Sequence, residues 1–137
     1  YYEEAYGKYI WLKSGASLVI EHTEAMTVID VNTGSVLKKK KQEDTLFYQI
    51  NREAAKEIAR QLRLRNISGI IMIDFINMKD TAQKEKLLSL LDSECKKDRV
   101  HCNVIDMTAL NLVEMTRSKV RKPLHEQIRS CMKNNRS

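Results

Sequence analysis

The chain has 137 residues, 42% of them hydrophobic, with a formal net charge of +6 and a sequence pI near 9.3. That size suits one domain spanning residues 1–137 with a core of its own and is too small for two. There is no run of about 18 apolar residues and no charged start ahead of a short apolar stretch, so neither a membrane span nor a signal peptide is expected, and a cytoplasmic protein is.

Cys95, Cys102 and Cys131 are too few and too far apart for a disulfide framework or a paired-cysteine zinc knuckle, and they point to a reducing compartment. The basic excess favours an anionic partner. The chain opens on Tyr1 in a mixed aromatic and acidic stretch, which leads us to expect a piece of a longer product.

In chain order, strands are predicted over Tyr9 to Lys13, Leu18 to His22 and Met26 to Val31, the first two joined by a turn at 14–17. Gly34 and the run Lys38 to Lys41 break this pattern. Leu46, Phe47, Ile50, Ala54, Ile58 and Leu62 recur every three or four residues, predicting an amphipathic helix that ends near Arg65 and is stopped by Asn66 to Gly69. Ile70 to Ile73 reads as a central strand covered on both faces. Asp80-Thr81 can cap a second helix with Leu87, Leu88, Leu91 and Cys95 on one face. Strands over Val100 to Ile105 and Leu112 to Thr116 follow, then a short helix opened by Pro123 and a polar tail after Arg129. The fold class is therefore α/β (or α+β), a mixed sheet with helices chiefly on one side.

Two segments share a pattern: Val28-Ile29-Asp30-Val31-Asn32 and Met72-Ile73-Asp74-Phe75-Ile76-Asn77 each deliver a carboxylate at the end of an apolar strand. A charge there is costly unless it is paired or bound to metal. Side by side, two carboxylates repel, and a hard cation relieves the repulsion; Mg²⁺ is usually held by one or two carboxylates with water and phosphate oxygens completing its shell. Asn32 falls on the face of Asp30 and has the chemistry to orient it. The same residues also read as turn caps, which Asp after a strand often is. Asp106 is a weaker third candidate.

Basic residues cluster at Lys38 to Lys41, at Arg52, Lys56, Arg60, Arg63 and Arg65, and from Arg117 to Lys122. Each cluster suits a phosphate backbone or, equally, a solvated surface. His22, His101 and His125 are too scattered for a triad.

The stretches Ile10-Trp11-Leu12-Lys13-Ser14-Gly15, Leu18-Val19-Ile20-Glu21, Thr23-Glu24-Ala25 and Ile29-Asp30-Val31-Asn32-Thr33-Gly34 closely resemble the RNase E/G family. The resemblance continues through Asn51-Arg52-Glu53-Ala54-Ala55, Glu57-Ile58-Ala59-Arg60-Gln61-Leu62-Arg63-Leu64-Arg65, Gly69-Ile70-Ile71, Ile73-Asp74-Phe75-Ile76-Asn77-Met78 and Leu112-Val113-Glu114-Met115-Thr116-Arg117. It implies a Mg²⁺-dependent endoribonuclease that hydrolyses single-stranded RNA to 5′-phosphate and 3′-hydroxyl ends, and a DNase I-like catalytic subdomain. Asp30 and Asp74 match the metal ligands, and Asn32 matches the residue supporting the first. Arg60, Arg63, Arg117 and Lys119 are then expected to meet RNA phosphates. The resemblance also implies a homo-oligomer, and upstream an OB-type RNA-binding domain, a 5′-monophosphate pocket and an RNase H-like subdomain.

Three positions depart from the family pattern. Asn77 stands where the family has Asp. Asn111 stands where it prefers Gly, which is tolerable at positive φ. Cys131 is followed by Met132, Lys133 and Asn134 where the family reads Cys-Pro-x-Cys, so zinc is not expected. The rival expectation is a non-catalytic RNA-binding or oligomerisation module that keeps the fold; a weaker one is a Mg²⁺-dependent phosphoesterase acting on DNA or small phosphates.

Overall fold

Alternating apolar and polar residues build most of this fold, seen in a computed structural model that describes residues 7–34, 43–108 and 110–119. The strands are β1 (Tyr9–Trp11), β2 (Ser17–His22), β3 (Met26–Asn32), β4 (Gly69–Asp74), β5 (Cys102–Met107) and β6 (Val113–Arg117); the helices are α1 (Glu43–Leu64) and α2 (Thr81–Lys96). They form one six-stranded sheet in the order β1-β2-β3-β4-β6-β5. Only β3 and β4 run parallel, joined through α1, so the mixed sheet with helices packed on it is the architecture expected.

Burial shows which face is covered. Leu18, Ile20, Ile29, Val31, Ile71, Ile73, Val113 and Met115 are buried in one core with Ile50, Ala54, Ile58 and Leu62 of α1 and Leu87, Leu91 and Cys95 of α2. Their alternate neighbours form an open face: Val19 and Glu21 on β2, Met26, Val28 and Asp30 on β3, Ile70, Met72 and Asp74 on β4. This corrects the expectation that β4 is covered on both faces. It is central in the sheet, but Ile70 is 42% exposed, and the apolar run reflects an open face that still carries aliphatic side chains.

Local signals fix the element ends. α1 stops at Asn66, whose φ of 55° is left-handed, while Ile67 N–H returns to the Leu62 carbonyl at 3.0 Å. Asp80 caps α2 by accepting a hydrogen bond from Ala82 N–H at 2.8 Å. After β3, Gly34 (φ 61°) passes so close to the β1–β2 turn that an added Cβ would lie 2.8 Å from the Gly15 carbonyl oxygen, so only glycine fits. Asn111 has a φ of 64°, the conformation that makes it an acceptable replacement for glycine. β5 lies two residues later than expected and carries a register shift between Val104 and Asp106. The Lys38 to Lys41 run, the helix at Pro123, the tail after Arg129 and Cys131 lie outside the described residues.

Candidate functional site

The parallel register of β3 and β4 pairs Met26 with Ile70, Val28 with Met72, and Asp30 with Asp74. Neighbouring strands lie about 4.8 Å apart, and paired residues project to the same face, so the two carboxylates sit side by side at the C-terminal ends of adjacent strands. Burial first, and then the charge of Asp74 with a smaller contribution from Glu21, hold the Asp30 carboxyl above the usual carboxylate range against a hydrogen bond from the Val31 backbone.

The chemistry of the donors suits a hard dication: two adjacent carboxylates, one of them made reluctant to ionise by burial and then by the other. Among the described residues no group of three or more His, Cys, Asp or Glu side chains converges. Asn32 extends the same face at the end of β3, opposite Ser17, and is exposed; among the described residues no hydrogen bond joins it to Asp30.

Asn51, which the sequence offers only as the first residue of the resembling stretch Asn51-Arg52-Glu53-Ala54-Ala55, holds the backbone behind the acid pair. It lies in α1 with no exposed surface, donates from Nδ2 to the Ile76 carbonyl at 2.8 Å, and accepts at Oδ1 from Ile76 N–H at 3.0 Å. A single Asn at helical spacing carries no signal of such a role; only the fold brings residues 51 and 76 together.

The basic residues expected to meet RNA lie elsewhere. Arg117 is 4% exposed, and its guanidinium bonds Asp98 Oδ2 at 2.8 Å, the Ile67 carbonyl at 3.0 Å and Asn66 Oδ1 at 3.1 Å. Its charge is spent inside the fold, joining β6 to the ends of both helices. Arg60 and Arg63 are exposed on α1, on the helical side of the sheet and away from the aspartates, and Arg60 is paired with Glu57 at 2.8 Å. Lys119 is exposed just past β6, whose end pairs with Gly69; Asp74 is at the other end of β4, about 17 Å away at 3.3–3.4 Å per strand residue. Asp106 faces Glu114 on the open side, two strands out from β4, and accepts a hydrogen bond from Met107 N–H. Cys95 and Cys102 sit where α2 meets β5, and burial pushes the Cys95 thiol up to about 12 and that of Cys102 upward as well.

Beside the aspartates the open face dips into a concavity of about 450 Å³, lined by both of them and by Val19, Glu21, Val28 and Met72 among others.

Residues 1–120 match the sequence profile of the Ribonuclease E/G family. The chain is 45% identical over 122 residues to ribonuclease G of Escherichia coli and 47% identical over 122 residues to ribonuclease G of Haemophilus influenzae, in each case 89% of this chain and 25% of the relative. It is 42% identical over 115 residues to ribonuclease E of a Nostoc species, 84% of this chain and 17% of that protein. The chain thus spans about a quarter or less of the length of these relatives.

Proposed function

The chain belongs to the ribonuclease E/G family, and on that ground we propose that it is the metal-holding part of an endoribonuclease that hydrolyses single-stranded RNA to 5′-phosphate and 3′-hydroxyl ends. One observation carries the proposal: Asp30 and Asp74 are direct partners across parallel strands on a face that, among the described residues, no helix covers. Two facing carboxylates repel, and a bound cation would turn that repulsion into a use for the pair.

Asp30 and Asp74 would hold Mg²⁺. When bound, the ion supplies Lewis acidity toward phosphate oxygens and water, and charge to stabilise the transition state. The protein's own share is positional. The β3–β4 hydrogen-bond ladder fixes the spacing of the two carboxylates, and Asn51 fixes the backbone that follows Asp74. Asn32 lies two residues beyond Asp30 on the same strand face and is exposed, where an amide could orient a ligand of the metal. Of the four basic residues expected to meet RNA, Arg117 is buried, Arg60 and Arg63 lie on α1 across the sheet, and Lys119 lies at the far end of β4, so none of these four is assigned a phosphate beside the acid pair.

The test is cleavage of a 5′-labelled single-stranded oligoribonucleotide by the full-length protein in Mg²⁺, in excess chelator and after Mg²⁺ is restored, with end-group analysis of the products. Cleavage that requires Mg²⁺ and leaves 5′-phosphates is expected. Undiminished cleavage in chelator, or 2′,3′-cyclic ends, would overturn the reading.

A further inference from the structure

The concavity beside the acid pair is lined by Val19, Met26, Val28, Met72 and Leu112, and apart from Asp30 and Asp74 its polar lining residue is Glu21. These apolar side chains are partly exposed on a sheet face that carries no helix among the described residues. At about 450 Å³ the space falls in the range of small-molecule sites, roughly 300–1,000 Å³, which are apolar with a few polar groups at fixed places. Glu21 is held by Lys8 at 2.7 Å, so the rim presents an acceptor beside a donor.

We propose that this concavity is a nucleobase subsite that takes the base of a nucleotide adjoining the phosphate held at Asp30 and Asp74. The inference rests on the ribonuclease reading above and adds to it a contact made by this chain. It follows from continuity, because the two carboxylates are themselves part of the concavity wall. In single-stranded RNA every phosphate has a base tethered to it through one sugar, so a phosphate seated on the acid pair carries a flanking base to the adjoining surface. That surface is apolar where a base has its π-face, and polar at Glu21 where a base has its edge.

The experiment uses the full-length protein and a series of oligoribonucleotides of one sequence, each with a single abasic nucleotide at a different place around the cut. In the wild type, an abasic residue at one flanking position should lower kcat/KM about tenfold, the scale of losing one base contact. Val28→Phe fills the concavity from the open face without entering the core, and should bring the ratio of intact to abasic substrate at that position to near one. Val19→Phe fills it from β2 and serves if the first variant misfolds by circular dichroism. Penalties that are the same in the wild type and the filled variants, while intact RNA is still cut, would overturn the subsite and leave the ribonuclease reading standing; the same result is expected if another segment of the protein occupies the concavity. Failure of the wild type to cut any oligonucleotide would overturn both.

Discussion

Asn51 and Ile76 exchange two hydrogen bonds across 25 positions of sequence, so that a side chain inside α1 stands in for a missing strand partner. The register between β4 and β6 runs from Gly69 to Ile73, and the backbone after Asp74 takes its next partner from Asn51. Asn51→Ala leaves both Ile76 backbone groups without a partner and should cost about 2–3 kcal/mol in chemical denaturation. Asn51→Asp keeps the acceptor, and its carboxyl can donate to the Ile76 carbonyl only while protonated, so it should lie nearer wild type in acid and lose stability as pH rises and the buried group must ionise. A loss for the Ala variant within about 0.5 kcal/mol, the range of ordinary surface changes, would remove Asn51 from the account.

The Asp98–Arg117 pair makes stability fall in acid. Burial pushes the Asp98 carboxyl up, but the Arg117 hydrogen bond and charge, with the Val100 backbone N–H, outweigh it, and the group titrates below its ordinary 3.8. The pair's contribution is therefore complete above the ordinary value and is lost as pH falls through the lower, folded one. Asp98→Asn strands a buried guanidinium and should destabilise the chain by about 3 kcal/mol at pH 7. Urea midpoints measured from pH 7 to pH 2.5 should show the gap between wild type and variant closing at the acid end; a constant gap would contradict the assignment.

Asp30 has the opposite sign. Its folded-state carboxyl is held above the ordinary range, so in metal-free solution it favours the folded state when protonated, and this advantage disappears as pH rises through the folded value. Asp30→Asn should consequently raise the thermal midpoint slightly in chelator at pH 7 and make little difference below the ordinary carboxylate range. Added Mg²⁺ should raise the wild-type midpoint and not that of the variant. A variant less stable than wild type in chelator at pH 7 would show that the Asp30 charge is satisfied within the fold.

Much of the sheet is legible in the sequence because one face is buried: the alternation in Met26–Asn32 and the helical spacing from Leu46 to Leu62 each specify a face. The acid pair is legible as a repetition of strand-then-Asp, although its geometry depends on the β3–β4 register, which no local pattern encodes. The misreadings have a common cause. Ile70 to Ile73 looks fully covered because composition cannot separate a buried face from an apolar open one, and Arg117 looks like a phosphate ligand because its partner Asp98 is 19 positions away. Asn51 was invisible for the same reason: its partner is a backbone group.

The central claim is most directly tested in the full-length protein by Asp30→Asn and Asp74→Asn, each of which removes one carboxylate charge and almost no volume. Cleavage of a single-stranded RNA in Mg²⁺ and binding of the same RNA, measured side by side, should separate: cleavage lowered by at least about a hundredfold in each variant, binding within about threefold of wild type, since a lost transition-state contact of about 3 kcal/mol or more leaves ground-state binding to other groups. Either variant cutting RNA at close to the wild-type rate would make these aspartates structural and contradict the account.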